Sequence, residues 1–142
     1  MPKKNTVKTR KSTAKKSSTS RARALKIARI VAAKQAEDVL ILDVSKISSL
    51  CDYFVICSGT SARQVRAIYE EALRECKKDE VGVGHREADD DSHWALVDFF
   101  DVILHVFDSE ARSFYNLEYL WKEAKKVPFK ITSGKPREQN LR

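Results

Sequence analysis

The chain has 142 residues, enough for one domain with a modest core, and its three cysteines form no C-x-x-C pair and no even-numbered framework, which excludes a disulfide scaffold. Its net charge of +7 suggests a nucleic-acid partner only until the charges are placed: residues 1–34 hold 12 bases and no acid, residues 35–121 hold 8 bases and 18 acids, and residues 122–142 hold 7 bases and 2 acids. The central part is therefore acidic and both ends are basic, which implies a partner or partners with at least two kinds of surface.

In chain order, MPKKNTVKTRKSTAKKSSTSRAR is Lys, Arg, Ser and Thr with almost no aliphatic residue. It cannot bury enough surface to offset the entropy of ordering, so residues 1–22 are expected to be a disordered basic extension. The same composition fits an organellar transit peptide, although lysine outnumbers arginine and no amphipathic face precedes Ala22. From Ala24, the stripe Leu25, Ala28, Val31 and Ala32 predicts a helix to about Ala36. VLILDVS (39–45) and DYFVICS (52–58) are short β-branched and aromatic runs and are predicted to be strands. Ser61 followed by Gln64 has the form of a capping box, and Val65, Ile68, Ala72 and Cys76 continue one stripe, so a helix is predicted from Ala62 to Lys77.

VGVG (81–84) is a candidate edge strand, and EADDDS (87–92) is expected to be an exposed loop. WALVDFF and VILHVF, broken around Phe99 to Asp101, predict a hairpin. Asp108 is a natural N-cap, after which Phe114, Leu117, Leu120, Trp121 and Ala124 are spaced for one or two short helices ending before Pro128. This order predicts an α/β fold, a mixed sheet of about five strands with flanking helices. The expected organisation is a domain over 23–124 with a basic tail over 125–142. No apolar run reaches the length of a membrane span and no secretory signal is visible, so no membrane partner and an intracellular site are expected.

The chemical motifs are weak. SGTS between a strand and a helix could cradle a phosphate, but one glycine without a P-loop lysine fits a turn and a helix cap better. A nucleotidyltransferase would need carboxylates paired on a strand to hold magnesium, and no D-x-D or E-x-D occurs in a strand after SGTS. His85, His93 and Asp89 to Asp91 match no ligand spacing, and no cation is placed by sequence to activate Cys57. Neither metal, cofactor nor catalytic residue is expected. In the hairpin, alternation puts Asp101, Ile103, His105 and Phe107 on one face, and Trp94, Leu96 and Asp98 share a face of the other strand. That mixture of aromatic, aliphatic and acidic groups suits a partner surface as well as a core. His105 taken alone fits a hydrogen-bonded core histidine.

CDYFVICSGTSARQVRAI followed by HWALVDFFDVILHVFDSEARSFYNLEYLW resembles the ribosomal silencing factor family (RsfS, Iojap) over residues 24–122. The matching positions are Trp94, Asp98, Asp101, Val102, His105, Val106, Arg112, Tyr115, Leu117, Glu118, Leu120 and Trp121. The resemblance implies a nucleotidyltransferase-like fold that is catalytically inactive, not an enzyme. It also implies binding to the large ribosomal subunit through its fourteenth-numbered protein, which blocks joining of the small subunit and represses translation when nutrients are short. Organellar relatives act in assembly of the large subunit, so cytoplasm is the expected compartment, with mitochondrion or plastid as the alternative. The expected contact set is Trp94, Asp98, Asp101, His105, Tyr115, Leu117, Leu120 and Trp121, and Trp121 fits the core equally well. The basic tails could contact ribosomal RNA. A nucleotide-binding enzyme is the less favoured reading, and monomer and homodimer both stay open for the free protein. One departure stands out: Phe100 occupies the turn position where many members have glycine, so either the turn differs here or the usual glycine does not have positive φ.

Overall fold

The computed structural model describes residues 13–79, 81–88, 91 and 93–130, with side chains from Thr19 onward. In chain order it contains α1 (Thr13–Ala33), β1 (Glu37–Asp43), β2 (Tyr53–Gly59), α2 (Ala62–Lys78), β3 (His85–Ala88), β4 (Trp94–Asp98), β5 (Val102–Asp108), α3 (Ser109–Tyr115), α4 (Leu117–Leu120) and β6 (Lys125–Lys126). The six strands form one sheet in the order β3-β4-β5-β2-β1-β6. β2 and β5 pair in parallel and every other pair is antiparallel, so the sheet is mixed, as predicted.

Both faces of the sheet are covered, unequally. α1 and α2 lie over one face, where Ala24, Ile27, Ala28 and Val31 meet Val65, Ile68, Ala72 and Cys76 above Val55, Val97, Leu104 and Val106. The second face carries a smaller cluster of Leu42, Phe54, Ile56 and Phe107, closed by Ala111 and by the half-buried Trp94, Leu117 and Trp121. All seven residues of β2 are buried because that strand is central and roofed on both sides, which is why its sequence reads as a continuous apolar run. The three cysteines are free and buried, and burial pushes the thiols of Cys51 and Cys57 up to about 12, which makes them packing residues and not nucleophiles.

Three elements differ from the sequence prediction. α1 starts at Thr13, so residues 13–22, expected to be disordered, are helical, while residues 1–12 lie outside the described residues. The first half of this helix is tied down at Ser20, whose single hydroxyl hydrogen is shared between Asp52 and Asp101 at 2.8 and 2.9 Å. VGVG is not a strand; the edge strand is β3, HREA, whose residues pair antiparallel with β4 and are mostly exposed. A polar edge strand is invisible to a search for apolar runs, yet charge there protects an open edge. Finally, the segment expected to be a tail begins inside the sheet, where Lys125 and Lys126 pair with Asp43 and Leu42 and Val127 is buried.

The β4–β5 turn settles the question of Phe100. Its φ is 79°, so phenylalanine adopts the conformation that glycine would, and the turn does not differ to avoid it. Asp101 N–H donates to the Phe99 carbonyl across Phe100 at 3.0 Å, the three-residue bond of a γ-turn, and Asp98 Oδ1 accepts from Phe100 N–H at 2.7 Å. The ring, 60% exposed, lies against Gly82 and Gly84; a methyl group on Gly84 would approach it to 2.8 Å. Such a residue carries about 1–2 kcal/mol of backbone strain, which these bonds must hold. Phe100→Gly relieves strain and loses ring contact, whereas Phe100→Ala loses the contact and keeps the strain. The alanine variant is expected to be about 1 kcal/mol less stable than the glycine variant in urea unfolding, and equal stability would refute a strained turn.

Candidate docking surface

β4 and β5 set the register of the candidate surface. Trp94 pairs with Phe107 and Leu96 with His105, so the side chains of Trp94, Leu96, Asp98, Ile103 and His105 share the second face, with Ala95, Val97, Leu104 and Val106 under the helices. Trp94 stacks on Phe107 at 5.2 Å and meets the tilted ring of Tyr115 of α3 at 4.6 Å between centroids, and the edge contacts of Phe54 reach His105 and Trp121, each at 5.0 Å. One aromatic cluster thus joins the sheet to the end of the domain.

His105 is buried in that cluster. Its Nδ1 lies 3.3 Å from Trp94 Nε1, and because an indole N–H only donates, Nδ1 is the acceptor and the neutral ring carries its proton on Nε2. Among the described residues Nε2 has no partner, and burial lowers the pKa from 6.5 to about 4. The histidine is therefore neutral at physiological pH and serves as an aromatic support, not as a charge. Since the unfolded chain binds this proton near pH 6.5 and the folded chain only near 4, the cost is absent above pH 6.5 and grows as the pH falls between those values. Lowering the pH from 7 to 5 is expected to cost about 2 kcal/mol through this residue, an increment that His105→Gln should lack in paired urea titrations.

α3 and α4 supply the rest of the surface. Asp108 Oδ1 accepts from Ala111 N–H at 2.8 Å, while its other oxygen meets His93 Nδ1 at 2.5 Å. Partial burial raises its carboxyl, but the hydrogen bonds from His93 and Ala111 outweigh that and hold it below the usual range. Asn116, in the left-handed conformation at φ 46°, ends α3 and turns the chain into α4. Arg112 fixes this unit to the sheet: its guanidinium pairs with Glu118 at 2.8 Å and donates to the Asp38 carbonyl at 2.8 Å and to Ser58 Oγ at 2.9 Å. The positioning role of Arg112 was not read from the sequence, although its six-residue spacing from Glu118 is a usable signal.

Of the eight residues expected to form the contact set, the structure brings seven to one side. Trp94, Asp98, Leu117 and Trp121 are half-buried, Tyr115 and Leu120 are exposed, and His105 lies beneath them. Asp101 does not belong there. It is 8% exposed, takes Arg23 Nη1 at 2.6 and 2.7 Å on its two oxygens, and accepts from Ser20 Oγ, so it faces α1. The γ-turn ends before β5 begins, so the pleat that governs Ile103 and His105 does not extend to Asp101. Phe114 and Tyr119, outside the expected set, stand out at 80% and 62% exposed, as does Leu120 at 68%. Phe114 and Leu120 belong to the stripe read as helical spacing, and helices this short turn part of it to solvent; Tyr119 lies outside that stripe.

SGTS acts as a cap. Ser61 Oγ accepts from Gln64 N–H, and Gln64 Oε1 accepts from the Thr60 backbone and hydroxyl at 2.7 and 2.8 Å, the reciprocal bonding of a helix cap. A cleft of about 520 Å³ lies nearby among Ser58, Ser109 and Arg112, but Glu118 already compensates that arginine. Among the described residues no three His, Cys, Asp or Glu side chains gather to hold a metal, and no helix is long and apolar enough to cross a membrane.

The sequence model of the family described as "Ribosomal silencing factor during starvation" matches residues 17–141. The chain belongs to that family. "Ribosomal silencing factor RsfS" of Bacillus subtilis is 46% identical over 91 residues, covering 64% of this chain and 77% of the relative. The mouse protein named "Mitochondrial assembly of ribosomal large subunit protein 1" is 34% identical over 94 residues, covering 62% of this chain and 40% of its own length. A crystal structure from Chromobacterium violaceum superposes with a TM-score of 0.68 at 30% identity, over 81% of this chain and 96% of that one. The family is named for a regulatory activity, and its match extends on both sides of the expected 23–124 domain, in keeping with the helical residues before Arg23 and the strand after Ala124.

Proposed function

We propose that this silencing factor binds the large ribosomal subunit through the subunit's fourteenth-numbered protein and sterically prevents the small subunit from joining. The observation that carries the proposal is the exposure of Phe114, Tyr115, Tyr119 and Leu120 on α3 and α4, with Tyr115 against Trp94 on the sheet face that Asp98 shares. A monomer has no folding reason to leave four large apolar side chains on two adjacent short helices in water, and such a patch with an acidic edge suits a basic protein surface. The apolar groups supply affinity, while Asp98 and its neighbours speed encounter and fix orientation. The proposed site of action is the cytoplasm.

Asp98→Asn separates charge from fold, because asparagine keeps the acceptor for Phe100 N–H. The variant is expected to bind purified large subunits about threefold more weakly at low salt and equally at high salt. Unchanged low-salt affinity would remove Asp98 from the docking surface. A second reading, assembly of the large subunit in mitochondrion or plastid, is favoured by the mouse relative's name and would use the same surface on an immature subunit.

A further inference from the structure

The opposite face of the molecule has the reverse charge. From Thr19 to Lys34 and along α2 there are ten Lys and Arg against three Glu. Five of the bases are paired with carboxylates: Arg23 with Asp101, Lys26 with Asp79, and three along α2 with its own glutamates. The other five, Arg21, Arg29, Lys34, Arg63 and Lys77, are exposed and have no carboxylate partner among the described residues. Arg21 lies close enough to the Tyr53 hydroxyl to lower its pKa, and that partner is neutral. The basic excess is therefore built into the fold and is not confined to the two ends of the chain.

These charges lie on one layer. α1 and α2 run side by side in opposite directions: Gln64 Nε2 near the start of α2 donates to the Gln35 carbonyl just beyond α1, and Lys26 pairs with Asp79 at the other end of α2. Arg29, Lys34 and Arg63 thus share one end of the layer, and Arg21 and Lys77 the other. Arg21 and Arg29 are separated by about 12 Å along the helix. Folding gains from only two of the five, Arg21 against Tyr53 and Lys77 at the C-terminal end of α2; both helices are held by apolar contacts on their inner sides, and uncompensated like charges repel. The sole aromatic residue in the two segments, Tyr69, is buried, so the layer offers charge without a base-stacking platform.

We propose that the outer face of α1 and α2 is a second contact surface that grips an RNA phosphate backbone without reading sequence. Charge complementarity identifies a polyanion, and the choice of RNA rests on the ribosomal reading above. The domain would then bridge protein on its aromatic, acidic side and RNA on its helical side.

The test is fluorescence anisotropy of a labelled RNA duplex of about 20 base pairs, titrated with the full chain over a range of salt concentrations. The full chain is expected to bind, and the fourfold variant R29Q/K34Q/R63Q/K77Q to bind about tenfold more weakly at low salt, with a log K against log salt slope shallower by about three to four. Circular dichroism melting should show the variant folded, as expected for exposed substitutions. Leu120→Asp, which alters only the docking side, should bind the duplex like the full chain, so failure of the docking reading would leave this result standing. No binding by the full chain, an unchanged slope and affinity in the fourfold variant, or equal competition by polyglutamate at matched charge would each overturn the proposal.

Discussion

Asp101→Ala is expected to lower folding stability by about 2–3 kcal/mol in urea unfolding at pH 7, the largest effect of any single carboxylate substitution in this chain. The reason is geometric. Both oxygens of Asp101 are engaged by Arg23, one also receives Ser20 Oγ, and its backbone carbonyl accepts from Asp52 and Tyr53 N–H. Removing the carboxylate leaves a partly buried guanidinium and a buried hydroxyl with fewer partners, and the loss stays below that of a fully buried pair because Arg23 keeps 28% of its side-chain exposure. Arg23→Ala should cost nearly as much, and the double variant much less than the sum, since both break the same contact. If Asp101→Ala unfolds like the parent protein, the ion pair does not anchor α1. Under conditions where the variant remains folded, its affinity for large subunits should be unchanged, which separates it from the docking residues.

Leu120→Asp should do the reverse. Leu120 is 68% exposed and Phe114 and Tyr119 lie on the same two helices, so the substitution removes little packing and places a charge among the exposed apolar side chains. Stability is expected to change by less than about 0.5 kcal/mol, while affinity for the large subunit falls about 30-fold, corresponding to roughly 2 kcal/mol at an anchor residue. A variant that melts as the parent does and still binds as tightly would show that these side chains are not the contact.

The contrast between Asp101 and Leu120 also shows what the sequence could and could not convey. The central strands, the cap at Ser61, the hairpin and the alternation that put Trp94 and His105 on one face are local patterns, and local patterns can be read. Asp101 could not be placed because its partner Arg23 is 78 residues away and because a γ-turn at Phe100 breaks the pleat just before β5. Residues 13–22 were assigned to disorder on composition alone, and the contacts of Ser20 that hold that part of α1 come from distant residues. β3 and β6 were missed because one is a polar edge strand and the other is two residues long. Counting charge by sequence block correctly gave an acidic centre, but it assigned to a tail the bases that α1 carries as part of the fold. One experimental consequence follows: deleting residues 1–22 would remove Ser20 and the first half of α1, so a tail deletion that preserves the described fold must stop before Thr13.

If the exposed aromatic and aliphatic side chains of α3 and α4 occupy the large subunit in place of the small one, subunit joining must depend on them. Purified ribosomal subunits are mixed with the full chain or with Leu120→Asp, and free subunits are resolved from joined ribosomes on a sucrose gradient. The full chain is expected to co-sediment with large subunits and deplete joined ribosomes, and Leu120→Asp to do neither at the same concentration. Undiminished joining with the full chain bound to large subunits, or equal inhibition by Leu120→Asp, would contradict it.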